Sequence, residues 1–147
     1  GEMTVRGFLE FVADLRGLRG ARRTARLDHV YGRLQLEPVL EQSIETLSKG
    51  FRRRVGLGQA IVHDPQVLIL DEPTDGLDPN QKHEVRTLIE EMARDKIVVI
   101  STHILEEVAA VCTRAIIIAR GHVVADQTPQ QLAARSRYHK AVSFRLD

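Results

Sequence analysis

The chain contains one cysteine, Cys112, so no disulfide can form within it and no cysteine cluster can hold a metal. A reducing compartment is the natural inference. The six histidines form no ligand pair at helical spacing, and none lies in a His-Glu-x-x-His pattern. No apolar run approaches the ~20 residues that span a bilayer. Net charge is only +1, which excludes a global field favouring nucleic acid. No internal repeat or low-complexity segment is present, so solenoids and tail-like chains are excluded. The most consequential absence is a Gly-x-x-x-x-Gly-Lys-Ser/Thr phosphate loop, which occurs nowhere in the 147 residues.

What is present suits one domain, with 43% hydrophobic residues to build a core. Arg16, Arg19, Arg22, Arg23, Arg26 and Arg33 make the first part locally basic. Without interleaved aromatics this run reads as a solvated helix face and not as a single-strand nucleic-acid surface. The opening residues Gly-Glu-Met-Thr-Val are neither a signal peptide nor an obvious natural start, and they suggest truncation.

Thr4 can cap a first helix whose apolar face is Phe8, Phe11, Val12 and Leu15, broken by Gly17 and Gly20. A second helix carries Leu27, Val30, Tyr31 and Leu34; Pro38 interrupts, and 41–47 reads as extended or loop. Residues 1–46 are therefore a largely helical section. A helix from Ser48 to about His63 ends at Asp64-Pro65, because the residue before proline avoids helical geometry. Val67 to Leu70 is a continuous apolar run, expected of a strand buried on both faces.

Asp78 then caps a helix with Pro79 first, Gln81 at the capping-box position and a face of Val85, Leu88, Ile89 and Met92. Ile97 to Ile100 is a second buried strand, followed by a short helix with Leu105, Val108 and Val111. Ala115–Ala119 and His122–Ala125 read as strands joined at Arg120-Gly121, and Thr128-Pro129 opens a last helix. From Tyr138 the tail alternates weakly, as the start of another strand would. Buried strands alternating with amphipathic helices specify an α/β sheet, mostly parallel.

Asp71 and Glu72 end the first strand. Ligands of open parallel sheets sit beyond the carboxyl ends of the strands. One carboxylate there can hold Mg²⁺ and its neighbour can orient a water as base, although an ordinary acidic turn has the same spelling. Ser48, Lys49 and Gly50 open a helix, where free amides, a hydroxyl and a cation favour a phosphate; a plain N-cap looks alike. His103 follows the second strand, and neighbouring strands would bring it near Glu72, although a satisfied structural histidine is the ordinary alternative. Capping alone explains Asp78, yet carboxylates so close to Asp71 and Glu72, at Asp75 and Asp78, cost repulsion unless a cation or a partner compensates. Arg52, Arg53 and Arg54 point in three directions on a helix and read as structural.

In order, Leu47-Ser-Lys-Gly-Phe51, Val67-Leu-Ile-Leu-Asp-Glu72, Asp75-Gly-Leu-Asp78 and His103 resemble the signature, Walker B strand, D-loop and switch histidine of the nucleotide-binding subunit of ATP-binding-cassette (ABC) transporters. Lys49 and Phe51 depart from the Leu-Ser-Gly-Gly-Gln signature, and Phe51 removes a glutamine side chain. The spelling Leu-Ser-Lys-Gly-Phe-Arg-Arg-Arg with Asp-Gly-Leu-Asp-Pro-Asn-Gln, and the opening Glu-Met-Thr-Val-Arg, resemble bacterial multidrug and gliding-motility-type exporters.

The resemblance implies an α/β P-loop NTPase (RecA-like) ABC ATPase core, C-terminal part. Residues 1–46 would be the helical subdomain, 47–135 the signature-to-H-loop part of the core and 136–147 the start of an extension. It implies ATP and Mg²⁺, with Asp71 holding the metal through water, Glu72 as catalytic base and His103 bridging to the γ-phosphate. Ser48, Lys49 and Gly50 would serve the ATP of a second nucleotide-binding subunit, and Asp78 would belong to the D-loop nucleotide contacts. Further implied partners are a transmembrane permease and no nucleic acid, with the subunit peripheral on the cytoplasmic face of the membrane. The phosphate loop, base-stacking aromatic and Q-loop glutamine precede residue 1 in family order, so the chain alone should hydrolyse no ATP. The phosphate-loop strand would lie between 97–100 and 115–119, which should then not pair. A soluble ABC-type ATPase of translation or DNA repair and a non-catalytic regulatory module are the alternatives; intact Glu72 and His103 speak against the second.

Overall fold

The computed structural model describes residues 3–135. The chain divides into two compact units, Gly1–Ser101 and Thr102–Asp147. The expected strand from Tyr138, the 136–147 extension and His139 lie outside the described residues.

The first unit begins with three helices, α1 (Val5–Leu15), α2 (Gly20–Arg33) and α3 (Lys49–Ile61). Thr4 caps α1, its Oγ1 accepting from Gly7 N at 3.1 Å. The first amides of α1, which a helix leaves unpaired, reach the loop before α3: Val5 N donates to Gln42 O and Arg6 N to Leu40 O. The last carbonyls of α3 are met in turn by Arg26 of α2, whose guanidinium donates to Val62 O at 3.0 Å and Ile61 O at 2.8 Å. Helix ends are thus closed by neighbouring elements, which fixes the three helices together.

Leu27, Val30, Tyr31 and Leu34 are all buried, as the period of α2 predicts. The expected face of α1 is not the buried one. Val5, Leu9, Val12 and Ala13 turn inward, while Phe11 is 51% and Leu15 70% exposed. Both sets have helical period and share Val12; the choice is made by packing. A Cβ on Gly58 of α3 would lie 3.1 to 3.3 Å from Val30, Leu9 and Leu34, so this glycine lets α1 and α2 close onto α3.

Strand β1 (Val67–Asp71) pairs in parallel with β2 (Ile97–Ser101), with Leu70 opposite Ile100 and Asp71 opposite Ser101. Helix α4 (Pro79–Met92) connects them and buries Val85, Ile89 and Met92. The expectation that β1 and β2 are buried on both faces is corrected. Leu68 and Leu70 are buried, but Ile69 is 75% and Ile97 65% exposed, as are Val67 and Val99 on the same outer face. Apolar residues at every position do not distinguish a strand covered twice from one covered once.

The second unit holds α5 (Leu105–Val111), β3 (Ala115–Ala119), β4 (His122–Gln127) and α6 (Pro129–Arg135). The expected stripe of α5 is also corrected: Leu105 is exposed and Glu107 is buried, accepting from Thr102 Oγ1 at 2.9 Å. β3 and β4 are antiparallel, joined by Arg120 (φ 51) and Gly121 (φ 77), the two positive angles of a type I′ turn. At α6, Thr128 N donates to Gln131 Oε1 and Gln131 N to Thr128 Oγ1, a complete capping box. Among the described residues no helix is long and apolar enough to cross a membrane.

Candidate nucleotide site

Parallel pairing brings Asp71 and Ser101 to the same carboxyl edge, where the Ser101 hydroxyl donates to Asp71 Oδ1. One residue on, the chain turns sharply. Glu72 has φ 46, in the left-handed region, which costs a non-glycine residue about 1–2 kcal/mol. The surroundings compensate. Glu72 N donates to Ser101 O at 3.1 Å and to Ser101 Oγ at 3.2 Å. Its carbonyl accepts from Asp75 N at 3.2 Å and from the Arg53 guanidinium.

Thr74 and Leu77 bury the turn that follows, and Asp78 caps α4 by accepting from Gln81 N at 3.0 Å. Asp71 and Asp78 are exposed and Glu72 is half-buried, so all three carboxylates remain open to water. Among the described residues, no three His, Cys, Asp or Glu side chains converge as a metal-holding set. A single strand-end carboxylate fits Mg²⁺, which keeps several waters and takes phosphate oxygens for the rest of its shell.

At the start of α3, Ser48 is the N-cap, its Oγ accepting from Phe51 N at 3.3 Å. Ser48 and Lys49 are exposed and Gly50 is buried. The covering group is Gln81: a Cβ at Gly50 would lie 2.8 Å from Gln81 Nε2 and 2.9 Å from Gln81 Cδ. The Gln81 carboxamide therefore occupies the side of Gly50 on which a Cβ would stand. Lys49 reaches toward the next turn, its Nζ 4.0 Å from where a Cβ on Gly76 would sit.

The three arginines of α3 do diverge. Arg52 donates to the carbonyls of Glu45 and Leu47; Arg54 pairs with Glu84 and lies 5.5 Å from the Phe51 ring centroid. Arg53, read from sequence as structural, reaches the backbone carbonyl of Glu72. A cation in the second turn of a helix gives no local sign of a partner 19 residues away. His103 lies in the second unit, exposed in the bend before α5 and two residues beyond Ser101.

Two concavities of the first unit lie away from Ser48, Asp71 and Glu72. One of about 250 Å³ has Arg26, His29, Arg33, Asp64 and Lys96 in its wall. Its charges are largely satisfied by one another: Arg33 pairs with Glu91 at 3.1 Å, and Lys96 and Arg26 with Asp64 at 2.6 and 3.4 Å. It serves as an ionic seam between α2 and the ends of α3 and α4.

Comparison with known proteins fits this geometry. The fold is that of an ABC ATPase core: CbiO1 from Clostridium perfringens, described as part of the ABC transporter complex cbiONQ, superposes with a TM-score of 0.82 at 29% identity. That alignment covers 92% of this chain and 55% of CbiO1. The family model for ABC transporters matches residues 2–75, and the chain belongs to the ABC transporter family as part of its ATP-binding domain.

Among relatives, the Bacillus subtilis ABC transporter ATP-binding protein YdbJ is 43% identical over 107 residues, covering 71% of this chain and 35% of YdbJ. NatA of the same organism is 33% identical, covering 83% of this chain and 50% of NatA. The probable multidrug ATP-binding protein YbhF of Escherichia coli is 32% identical, covering 92% and 24%. The chain thus spans half or less of each of these relatives.

Proposed function

We propose that this chain is the signature-to-H-loop portion of an ATP-hydrolysing subunit that drives an ABC exporter of the multidrug type. The carrying observation is the β1–β2 edge, where Asp71 is fixed by Ser101 and Glu72 is held in a left-handed turn directly after it. This arrangement supports distinct roles for adjacent carboxylates. Asp71 would hold Mg²⁺, which would supply charge neutralisation at the phosphates. Glu72 orients and deprotonates the attacking water, with His103 contacting the γ-phosphate.

Ser48, Lys49 and Gly50 serve the nucleotide of a second nucleotide-binding subunit, and Asp78 orders the turn between the two contributions. The helical section Val5–Arg33 faces a transmembrane permease, which places the subunit on the cytoplasmic side of the membrane. Exposed Phe11 and Leu15 on α1 support that assignment. The apolar outer face of Val67, Ile69, Ile97 and Val99 supports an intact subunit in which further structure covers it. Lacking a phosphate loop, the 147 residues alone bind ATP poorly and turn none over.

The test is Glu72→Gln in the intact subunit. Turnover falls by at least about a hundredfold, the range of a lost general base, while ATP still binds. Turnover at the wild-type rate refutes the assigned base.

A further inference from the structure

We propose that Arg53 is a positioning residue for the catalytic base, acting through the backbone of Glu72 and not through any contact with nucleotide. The inference rests on the reading of Glu72 as base. Its physical content is a residue whose two flanking peptides are held from three directions. Ser101 takes the Glu72 N–H from the strand side, Asp75 N closes the turn onto the carbonyl, and Arg53 reaches that carbonyl from α3. Ser101 and Asp75 belong to the β1–β2 edge and its following turn. Arg53 is the one member contributed by the helix that begins with Ser48 and Gly50.

A left-handed glutamate is disfavoured by roughly tenfold or more in population relative to ordinary backbone geometry. The side chain of residue 72 leaves the backbone in a direction set by φ, so releasing the carbonyl lets the carboxylate swing away from its working direction. A guanidinium bound to a carbonyl is a charge-assisted contact and is stronger than a neutral one. It is also rigidly anchored, because α3 is packed through Val55, Leu57, Gly58 and Ile61. Arg53 therefore makes the orientation of the base depend on the seating of the signature helix. A helix that serves one nucleotide through its N-terminus orients the base of another through its second turn.

Arg53→Met keeps the side chain's apolar stem and removes the donor; Arg53→Lys keeps a donor. Two measurements are made on each. In the 147-residue chain, NMR backbone shifts and the HN–Hα coupling of residue 72 leave their left-handed values in Arg53→Met and retain them in Arg53→Lys. In the intact subunit, Arg53→Met lowers kcat about tenfold, the scale of a lost charge-assisted hydrogen bond, with KM for ATP unchanged. Arg53→Lys recovers most of that loss. Unmoved residue 72 shifts in Arg53→Met, or moved shifts with full kcat, overturns the proposal. A rise in KM with kcat intact overturns it too, since it would mean contact with nucleotide. Failure of the base assignment is seen separately: full turnover in Glu72→Gln leaves the NMR result standing.

Discussion

Ser101 and Asp71 are register partners at the ends of adjacent parallel strands, and the serine hydroxyl donates to the aspartate carboxylate while also accepting from Glu72 N. One hydroxyl thus touches both acidic positions, using its donor on one and its acceptor on the other. Ser101→Ala removes both contacts, but Glu72 N keeps Ser101 O as acceptor and Asp71 stays open to water. The expected loss of stability is therefore small, about 0.5–1 kcal/mol. It is read as a lower urea midpoint with an unchanged slope, and turnover in the intact subunit falls severalfold. A stability loss above ~2 kcal/mol would mean the hydroxyl holds the fold and not the site.

Acid should weaken the first unit before its carboxylates titrate. Burial holds the His63 imidazole below its ordinary value near 6.5, with the Arg16 and Arg26 charges adding to it and Asp64 opposing. His63 Nδ1 is buried without a hydrogen-bond partner among the described residues. The folded state therefore resists protonation that the unfolded chain accepts. Stability is full above pH 6.5 and is lost as pH falls through the lower folded value. Asp64, held below 3.8 first by its hydrogen bond with Lys96, extends the loss into a second window under that pH. Asp64 is half exposed, so solvent screening keeps its share slight. In urea titrations across pH 5–7.5, His63→Gln flattens the upper part of the decline; an unchanged slope in that variant removes His63 as its source.

Local signals in the sequence carried far, and the failures share one cause. Thr4, Ser48, Asp78 and Thr128 all cap helices as read, because a cap is settled within four residues. The β3–β4 turn was equally legible, since Arg120-Gly121 supplies its two positive angles without help from elsewhere. The face of α1 was misread because Phe8, Phe11 and Leu15 repeat with the same period as Val5 and Leu9. Only the fit of Leu9 against Gly58 decides between them. The inward turn of Glu107 in α5 depends on Thr102 in the same way. The place of Asp71 and Glu72 at the strand end could be read from the apolar run before them, whereas the contact of Arg53 with the Glu72 backbone could not. That contact depends on the rotation of α3 about its axis, which packing sets.

The last prediction concerns why position 50 is glycine. Two physical reasons compete: close approach of a phosphate, and close approach of Gln81. In the present structure the second is visible, with Gln81 Nε2 2.8 Å from the place of a Gly50 Cβ. Alanine there must push the carboxamide aside, but Gln81 is a flexible side chain, so the fold loses at most about 1 kcal/mol. In a Gln81→Ala background the obstruction is gone, and Gly50→Ala becomes neutral or stabilising by about 0.5–1 kcal/mol, the helical preference of alanine over glycine. A double-mutant cycle on urea unfolding of the 147-residue chain measures this coupling directly. Equal effects of Gly50→Ala in both backgrounds would show that Gln81 is not what requires the glycine. The intact subunit then separates the two reasons. If phosphate approach also requires the glycine, the Gly50→Ala, Gln81→Ala double variant folds normally yet has a raised KM for ATP; if packing alone requires it, the double variant works at wild-type KM.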